Sequence, residues 1–159
     1  MMKKLFVFIT LFFLFSCQDG PRAAFNEEFI NVNPQKELSF KKLIGQYKLD
    51  NDSKKRYGII DSSSYYIYIK DNELLTNKYI NTRTREIQDG FKKNIYYVNN
   101  YKEKSPLIFI GVRNHEKDDF YSDIAIYYRK KDSILALYIY TPPLKGQENG
   151  DYLRYIKVK

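Results

Sequence analysis

The chain has 159 residues and a formal net charge of +8, with one cysteine, one histidine, 16 tyrosines and 11 phenylalanines. One cysteine excludes an intramolecular disulfide framework, and one histidine excludes a site built from several imidazoles. The length suits a single domain with its own hydrophobic core, and the basic charge favours acidic partners or anionic surfaces.

The N-terminus begins with Lys3 and Lys4, followed by an apolar run from residue 5 to residue 15 that ends in Leu14-Phe15-Ser16-Cys17. This run is shorter than the roughly 20 residues that a membrane-spanning helix needs. The tetrapeptide that ends at Cys17 resembles the lipobox of bacterial lipoproteins. In that family the cysteine thiol receives a diacylglyceryl group, and the peptide is cut just before the cysteine.

The resemblance implies that residues 1–16 are a signal peptide and that Cys17 carries acyl chains of the palmitate kind. The protein would then be anchored by lipid to a membrane of the cell envelope, with its domain facing the periplasm or the exterior. Lipidation would use the only thiol. Residues 17–37, polar and without a clear period, are predicted to form a flexible tether.

A short helical turn is predicted before the first long strand. Asn33-Pro34 supplies a capping residue followed by proline, and Leu38, Phe40 and Leu43 supply a short apolar stripe.

Residues 38–159 are predicted to form an all-β domain, an antiparallel meander of about eight or nine strands. Short runs rich in tyrosine, isoleucine and valine alternate with turn-forming pairs such as Asp71-Asn72, Asp89-Gly90 and Lys131-Asp132. The runs cover residues 43–49, 64–70, 74–82, 91–98, 106–113, 120–130, 133–141 and 152–158, with 57–61 as a further short strand.

A sheet of this size with one core face must fold into a sandwich or close into a barrel. We expect a barrel because closure removes the exposed edge strands, and a β-sandwich is the alternative. The run from Ile134 to Thr141 is apolar on both faces, which indicates a strand covered twice or one whose tyrosines close over a cavity.

Three residues of the domain resemble the lipocalin or calycin pattern. Gly45 and Tyr47 stand at the start of the first long strand, and Arg154 stands on the last. In that family a Gly-x-Trp opens the first strand, and an arginine of the closing strand lies across the tryptophan ring. The resemblance implies an eight-stranded barrel that is closed at one end by Arg154 against Tyr47.

The first functional hypothesis is a non-enzymatic binding module without cofactors, whose barrel holds an apolar or amphipathic small molecule. Tyr66, Tyr68, Tyr138 and Tyr140 are the candidate lining residues because tyrosine offers both a ring face and a hydroxyl.

The alternative is an envelope interaction protein, such as an inhibitor or an immunity-type protector. It would bind an acidic protein or lipid surface through basic loops, of which Lys54 to Arg56 and Arg113 to Lys117 are candidates. Nucleic acid is not an expected partner, because an exported protein rarely meets it.

No residue pattern predicts catalysis or a metal site. His115 lies among carboxylates in residues 114–119, which is typical of a polar hairpin tip, and Asp61 to Ser64 reads as a turn without a glycine elbow. We therefore expect no enzymatic activity, no metal and no catalytic residue.

Overall fold

The computed structural model describes residues 25, 29–32, 38–98, 107–110 and 123–159. The tetrapeptide that resembles a lipobox, including Cys17, lies outside these residues. Within them, no helix combines the length and the apolar character needed to cross a membrane.

The described chain is dominated by strands, as the alternating pattern predicted. The described residues form two helices, α1 (Phe40–Leu43) and α2 (Asn51–Arg56). The strands are β1 (Phe29–Asn31), β2 (Gly45–Leu49), β3 (Tyr66–Lys70), β4 (Glu73–Thr76), β5 (Lys78–Ile80), β6 (Ile87–Asp89), β7 (Lys92–Val98), β8 (Leu107–Ile110), β9 (Asp123–Arg129), β10 (Leu135–Thr141) and β11 (Asp151–Lys157).

Nine strands form one antiparallel sheet in the order β1-β9-β10-β11-β2-β3-β4-β7-β8, and β5 and β6 form a separate two-stranded sheet. β8 also pairs antiparallel with the beginning of β9, where Leu107 lies opposite Ala125. β1 pairs with the end of β9, where Phe29 lies opposite Arg129. The prediction of an all-β antiparallel domain is confirmed.

One face of the sheet carries the main core. Alternate residues of β2, β3, β10 and β11 point to it, as the two-residue period of a strand requires. The buried side chains of this cluster include Tyr47, Leu49, Ile67, Ile69, Leu74, Ile95, Ile124, Ile126, Leu137, Ile139, Leu153 and Tyr155.

A second, smaller core lies on the opposite face of β9, β10 and β11. It contains Tyr127, Ala136 and Tyr138, which are covered by Phe25 and Phe29 of the N-terminal segment. The apolar character of both faces of β10 therefore reflects a strand covered on both sides, which was one of the two explanations offered by its sequence.

The N-terminal segment differs from the predicted tether. Residues 29–31 form β1, and the side chains of Phe25, Phe29 and Val32 are buried. The folded domain therefore begins before residue 38, because these apolar side chains gain more from burial on the sheet than from exposure to water.

Several local predictions change in detail. The helical turn before β2 is present as α1, which begins after Ser39, whereas Asn33 and Pro34 lie outside the described residues. Residues 57–61 are not a strand. Asp89-Gly90 does not connect two paired strands, since β6 pairs with β5 and the following β7 pairs with β4.

Candidate functional site

The most unusual buried side chain is Arg154 of β11, which is 1% exposed. Its guanidinium forms an ion pair with Asp50, and its Nη2 lies 3.2 Å from Oδ2 of Asp52. Asp50 is also the N-cap of α2, because its Oδ1 accepts a hydrogen bond from the backbone N–H of Ser53 at 2.7 Å. One carboxylate thus caps a helix and neutralises a buried cation.

Backbone contacts reinforce this connection. The hydroxyl oxygen of Ser53 accepts a hydrogen bond from the backbone N–H of Arg154 at 2.9 Å, and the N–H of Asp50 donates to the carbonyl of Arg154 at 3.1 Å. Helix α2 is therefore fixed to β11 through both main chain and side chain.

Aromatic rings cover the other side of the guanidinium. Its carbon lies 4.1 Å from the ring centroid of Phe25 and 4.9 Å from that of Phe29. The same two rings pack edge-on against Tyr138, at centroid distances of 5.6 and 5.9 Å. Burial raises the pKa of Tyr138 to about 12, and the neighbouring Arg154 opposes this rise. Arg154 therefore joins the N-terminal segment, β10 and α2 at one point.

The predicted stacking of Arg154 on Tyr47 is wrong. Tyr47 lies opposite Lys157 in the β11–β2 register, and its ring faces the main core together with Leu49 and Tyr155. Arg154 and Tyr155 are consecutive residues, so they point to opposite faces of β11. The error arose because both faces of β11 are apolar and the sequence did not identify which one faces the main core.

Tyr47 instead closes the contact between α1 and β2. Its hydroxyl donates a hydrogen bond to the carbonyl of Leu43 at 2.7 Å, and burial raises its pKa. The nearest cation described over its ring is Lys157, with Nζ at 5.9 Å from the centroid.

Gly45 has a clear structural reason to be glycine. Its φ is +148°, and a Cβ at this position would collide with the carbonyl oxygen of Lys159. The close approach of the C-terminal residue to the start of β2 therefore depends on the missing side chain.

The four candidate lining tyrosines do not face the main core. Tyr66 and Tyr68 alternate with the buried Ile67 and Ile69 and lie on the outer face of β3, where both are half-buried. Tyr138 lies in the second core, and the side chain of Tyr140 is 50% exposed. The prediction that these residues line an interior cavity is therefore wrong for all four.

Tyr66 and Tyr68 instead belong to a mixed aromatic and basic surface. Their ring centroids are 5.9 Å apart, and Lys48 and Gln46 of β2 lie directly opposite them in the sheet. Nε2 of Gln46 donates a hydrogen bond to the hydroxyl of Tyr68 at 3.3 Å. On the other side, Leu75 of β4 lies opposite Tyr68. We call the set Gln46, Lys48, Tyr66, Tyr68 and Leu75 the tyrosine–lysine face.

The predicted basic loop from Lys54 to Arg56 is instead the last turn of α2, and it is only partly available to a partner. Nζ of Lys54 donates to the carbonyl of Ser63 and lies 5.3 Å from the ring centroid of Tyr65. Arg56 forms an ion pair with Asp151 at 2.6 Å. The other candidate loop, Arg113 to Lys117, and His115 within it lie outside the described residues.

The Asp61 to Ser64 segment acts as a structural loop between α2 and β3. Oδ2 of Asp61 accepts a hydrogen bond from the hydroxyl of Tyr65 at 2.9 Å, which lowers the pKa of the Asp61 carboxyl. The carbonyl of Ser64 accepts from Nδ2 of Asn77 at 2.7 Å. These contacts tie the two ends of the segment to Tyr65 and to Asn77.

Sequence reasoning missed a polar cluster beyond the end of β10. Nη1 of Arg85 donates to the hydroxyl of Tyr57 at 2.8 Å, and Nη2 donates to the carbonyl of Pro142 at 2.7 Å. The Tyr57 hydroxyl also contacts the hydroxyl of the buried Thr141, and burial raises the pKa of Tyr57. The three elements are far apart in sequence, so no local pattern could have revealed the cluster.

Comparison with known proteins gives no match: no family model fits the chain, and no curated protein or solved structure resembles it significantly.

Proposed function

We propose that this chain is a lipid-anchored, non-enzymatic binding protein of the cell envelope, which binds an acidic protein partner through its tyrosine–lysine face. The observation that carries the proposal is the position of Tyr66 and Tyr68. They stand on the outer face of β3 beside Lys48, while the alternate residues of the same strand fill the main core.

The composition of this face favours a protein partner. Tyrosine is enriched at the centres of protein interfaces because its ring buries much apolar area and its hydroxyl retains a hydrogen bond. Lys70 and Lys92 extend the face along β3 and β7, and Glu73 pairs with Lys92 at 2.6 Å. The excess of lysine over carboxylate suits an acidic partner surface.

None of the candidate lining residues for the expected small-molecule ligand faces the main core. The side chains that point to the main core are mainly isoleucine and leucine, in one continuous buried cluster. An eight-stranded barrel is just wide enough for such side chains to fill it. A surface-binding protein therefore fits the described geometry better than a carrier.

We also propose that the sheet is a closed, lipocalin-like barrel. The pairing of β8 with β9 supports closure, because β9, β10, β11, β2, β3, β4, β7 and β8 then follow one another in a ring. Cross-strand nuclear Overhauser effects between the backbones of Ile108 and Ile124 would test it, since an open sheet or sandwich would not bring these two residues together.

The lipid anchor is tested by Cys17→Ala. The native chain should sediment with the envelope membranes and the variant should be soluble, with mass spectrometry showing acyl chains only on the native chain. Retention of the variant in the membrane fraction after a high-salt wash, which removes charge-dependent binding, would contradict the anchor.

The binding face is tested by replacing Tyr68 with a photo-crosslinking amino acid in the native host. We expect an adduct with an acidic envelope protein that weakens at high salt and in a Lys48→Glu background. The matched control carries the crosslinker at the exposed Tyr140. Equal crosslinking at both positions, or a stoichiometric small molecule extracted from the purified protein, would refute a protein-binding role for this face.

A further inference from the structure

Ile60 is almost completely exposed, although the residues on both sides of it contact the rest of the fold. Its exposure is 97%, whereas the next most exposed large apolar side chain in the described part of the chain, Tyr140, has 50%. A single exposed apolar residue is common on soluble proteins, so its surroundings decide whether it has a role.

The backbone on both sides of Ile60 is held in place. The N–H of Ile59 donates to the carbonyl of Lys54 at 2.9 Å, and the Ile59 side chain packs against the main core. On the other side, the Asp61 carboxylate is bound by the hydroxyl of Tyr65. Ile60 therefore projects outward from a fixed loop, which we call the α2–β3 tip and define as residues 57–61.

Basic side chains near this tip outnumber the carboxylates, which are Asp61 within the tip and Asp151 paired with Arg56, and Lys78 adds to the positive charge near Asp61. The last turn of α2 contains Lys54, Lys55 and Arg56, and Lys55 is exposed. The two carboxylates of the first part of α2, Asp50 and Asp52, are both bound to Arg154. An apolar side chain beside basic residues is the composition that favours the interface of an anionic bilayer.

The chain geometry places the tip near Phe25, the first residue that the structure describes. The guanidinium carbon of Arg56 lies 5.6 Å from the ring centroid of Phe25. Four residues separate Arg56 from Ile60, which is at most about 14 Å of chain. Eight residues separate Phe25 from Cys17, so a lipid on Cys17 would lie within roughly 29 Å of Phe25.

We propose that the α2–β3 tip docks on the anionic membrane leaflet that holds the Cys17 anchor. Ile60 enters the boundary between headgroups and acyl chains, and Lys55 contacts the headgroups. This inference rests on the proposed lipid anchor. Docking would fix the orientation of the domain on the membrane.

The absence of other cysteines makes a direct test simple. In the lipidated full chain, Ile60→Cys supplies the only free thiol, which is labelled with an environment-sensitive fluorophore. In vesicles containing about 30% phosphatidylglycerol we expect a blue shift and protection from an aqueous quencher. The control is Lys131→Cys. Lys131 lies in the β9–β10 turn before β10, whereas Tyr57 of the tip contacts Thr141 at the end of β10. The label at residue 131 should therefore remain in water.

The outcomes separate the two proposals. A native chain whose Cys17 reacts with a maleimide, and which does not float with vesicles, would refute the anchor. A chain that floats, but whose label at residue 60 is as quenchable as the label at residue 131, would refute only the docking of the tip.

A second measurement removes the anchor. Unlipidated Cys17→Ala chain should bind the same anionic vesicles weakly in a sedimentation assay, and Ile60→Asp should lower the bound fraction about fivefold or more. Val158→Asp is the matched control, since Val158 is 49% exposed and follows the far end of β11. Equal binding of both variants would contradict the proposal.

Discussion

At the scale of single residues, Arg154 shows how a buried charge can organise a fold. A guanidinium removed from water carries a large desolvation penalty, which is offset only by a close carboxylate and further contacts. Asp50 supplies the carboxylate, and Phe25 and Phe29 supply ring faces within 5 Å. Removing Arg154 would therefore leave the carboxylate of Asp50, whose side chain is 9% exposed, without its partner.

We predict that Arg154→Leu lowers the free energy of unfolding by about 3 to 5 kcal/mol, because it strands a buried carboxylate. Urea denaturation measures the change. The control is Lys92→Ala, which breaks the exposed pair with Glu73 and should cost at most about 1 kcal/mol. Similar losses in the two variants would show that Arg154 is no more important than a surface residue.

The Tyr65–Asp61 hydrogen bond predicts a local dependence on pH. The bond lowers the pKa of the Asp61 carboxyl, so its contribution to stability is present at neutral pH and is lost as the pH falls through that lowered pKa. Tyr65→Phe should return the pKa of Asp61 toward its ordinary value of 3.8, as measured by NMR titration of the carboxyl carbon. An unchanged titration would exclude the bond as the cause.

At the scale of elements, the strands were predictable and α2 was not. The strands carry a two-residue alternation that the sequence displays directly. Helix α2 has the sequence NDSKKR, without an apolar stripe, and its stability comes from the Asp50 cap and from Ser53 buried against Arg154. The cap is local, between Asp50 and Ser53, whereas the contact of Ser53 with Arg154 connects residues 101 positions apart, which a local pattern cannot show.

The sequence did not reveal the role of the N-terminal segment. We predict that this segment stabilises the domain. A chain that begins at residue 38 should unfold at lower urea concentration than one that begins at residue 18, because Tyr127 and Tyr138 lose the cover of Phe25 and Phe29. Phe29→Ala in the longer chain should cost about 3 kcal/mol.

Hydrogen exchange can localise this effect. The N–H of Val32 donates to the carbonyl of Ile126 at 3.2 Å, and β1 pairs with the end of β9. The amide of Tyr128, which faces β1, should lose protection in the shorter chain, while the amide of Arg129, which donates to the carbonyl of Ile134, and the amides of β3 should not. Equal stability of the two chains would restore the tether interpretation for residues 17–37.

At the scale of the whole molecule, the all-β class followed from composition, whereas the identity of the inner face did not. The outer face of β10 and β11 is covered and therefore carries apolar residues. For this reason the alternation of apolar and polar residues along these strands could not show which face is the inner one. For the same reason the sequence placed Arg154 beside Tyr47 and the tyrosines inside. The tyrosine–lysine face became visible only when the register of β2, β3 and β4 was known.

Because the chain has an excess of positive charge, we predict that added salt raises the stability of the whole molecule and weakens its binding. Like charges repel one another within the folded chain, and salt screens this repulsion over distances beyond about 8 Å. We expect Tm of the unlipidated chain to rise by about 2 to 4 °C between low salt and 0.5 M NaCl, which corresponds to roughly 1 kcal/mol.

Binding to an acidic protein or to anionic vesicles should weaken over the same range of salt, because the attraction between opposite charges is screened in the same way. Calorimetry and vesicle sedimentation at matched salt concentrations measure the two effects. If Tm rises while binding falls, loss of binding cannot result from unfolding and must reflect surface charge. A fall in Tm with salt would mean that ion pairs such as Arg56–Asp151 contribute more to stability than the repulsion among the lysines removes.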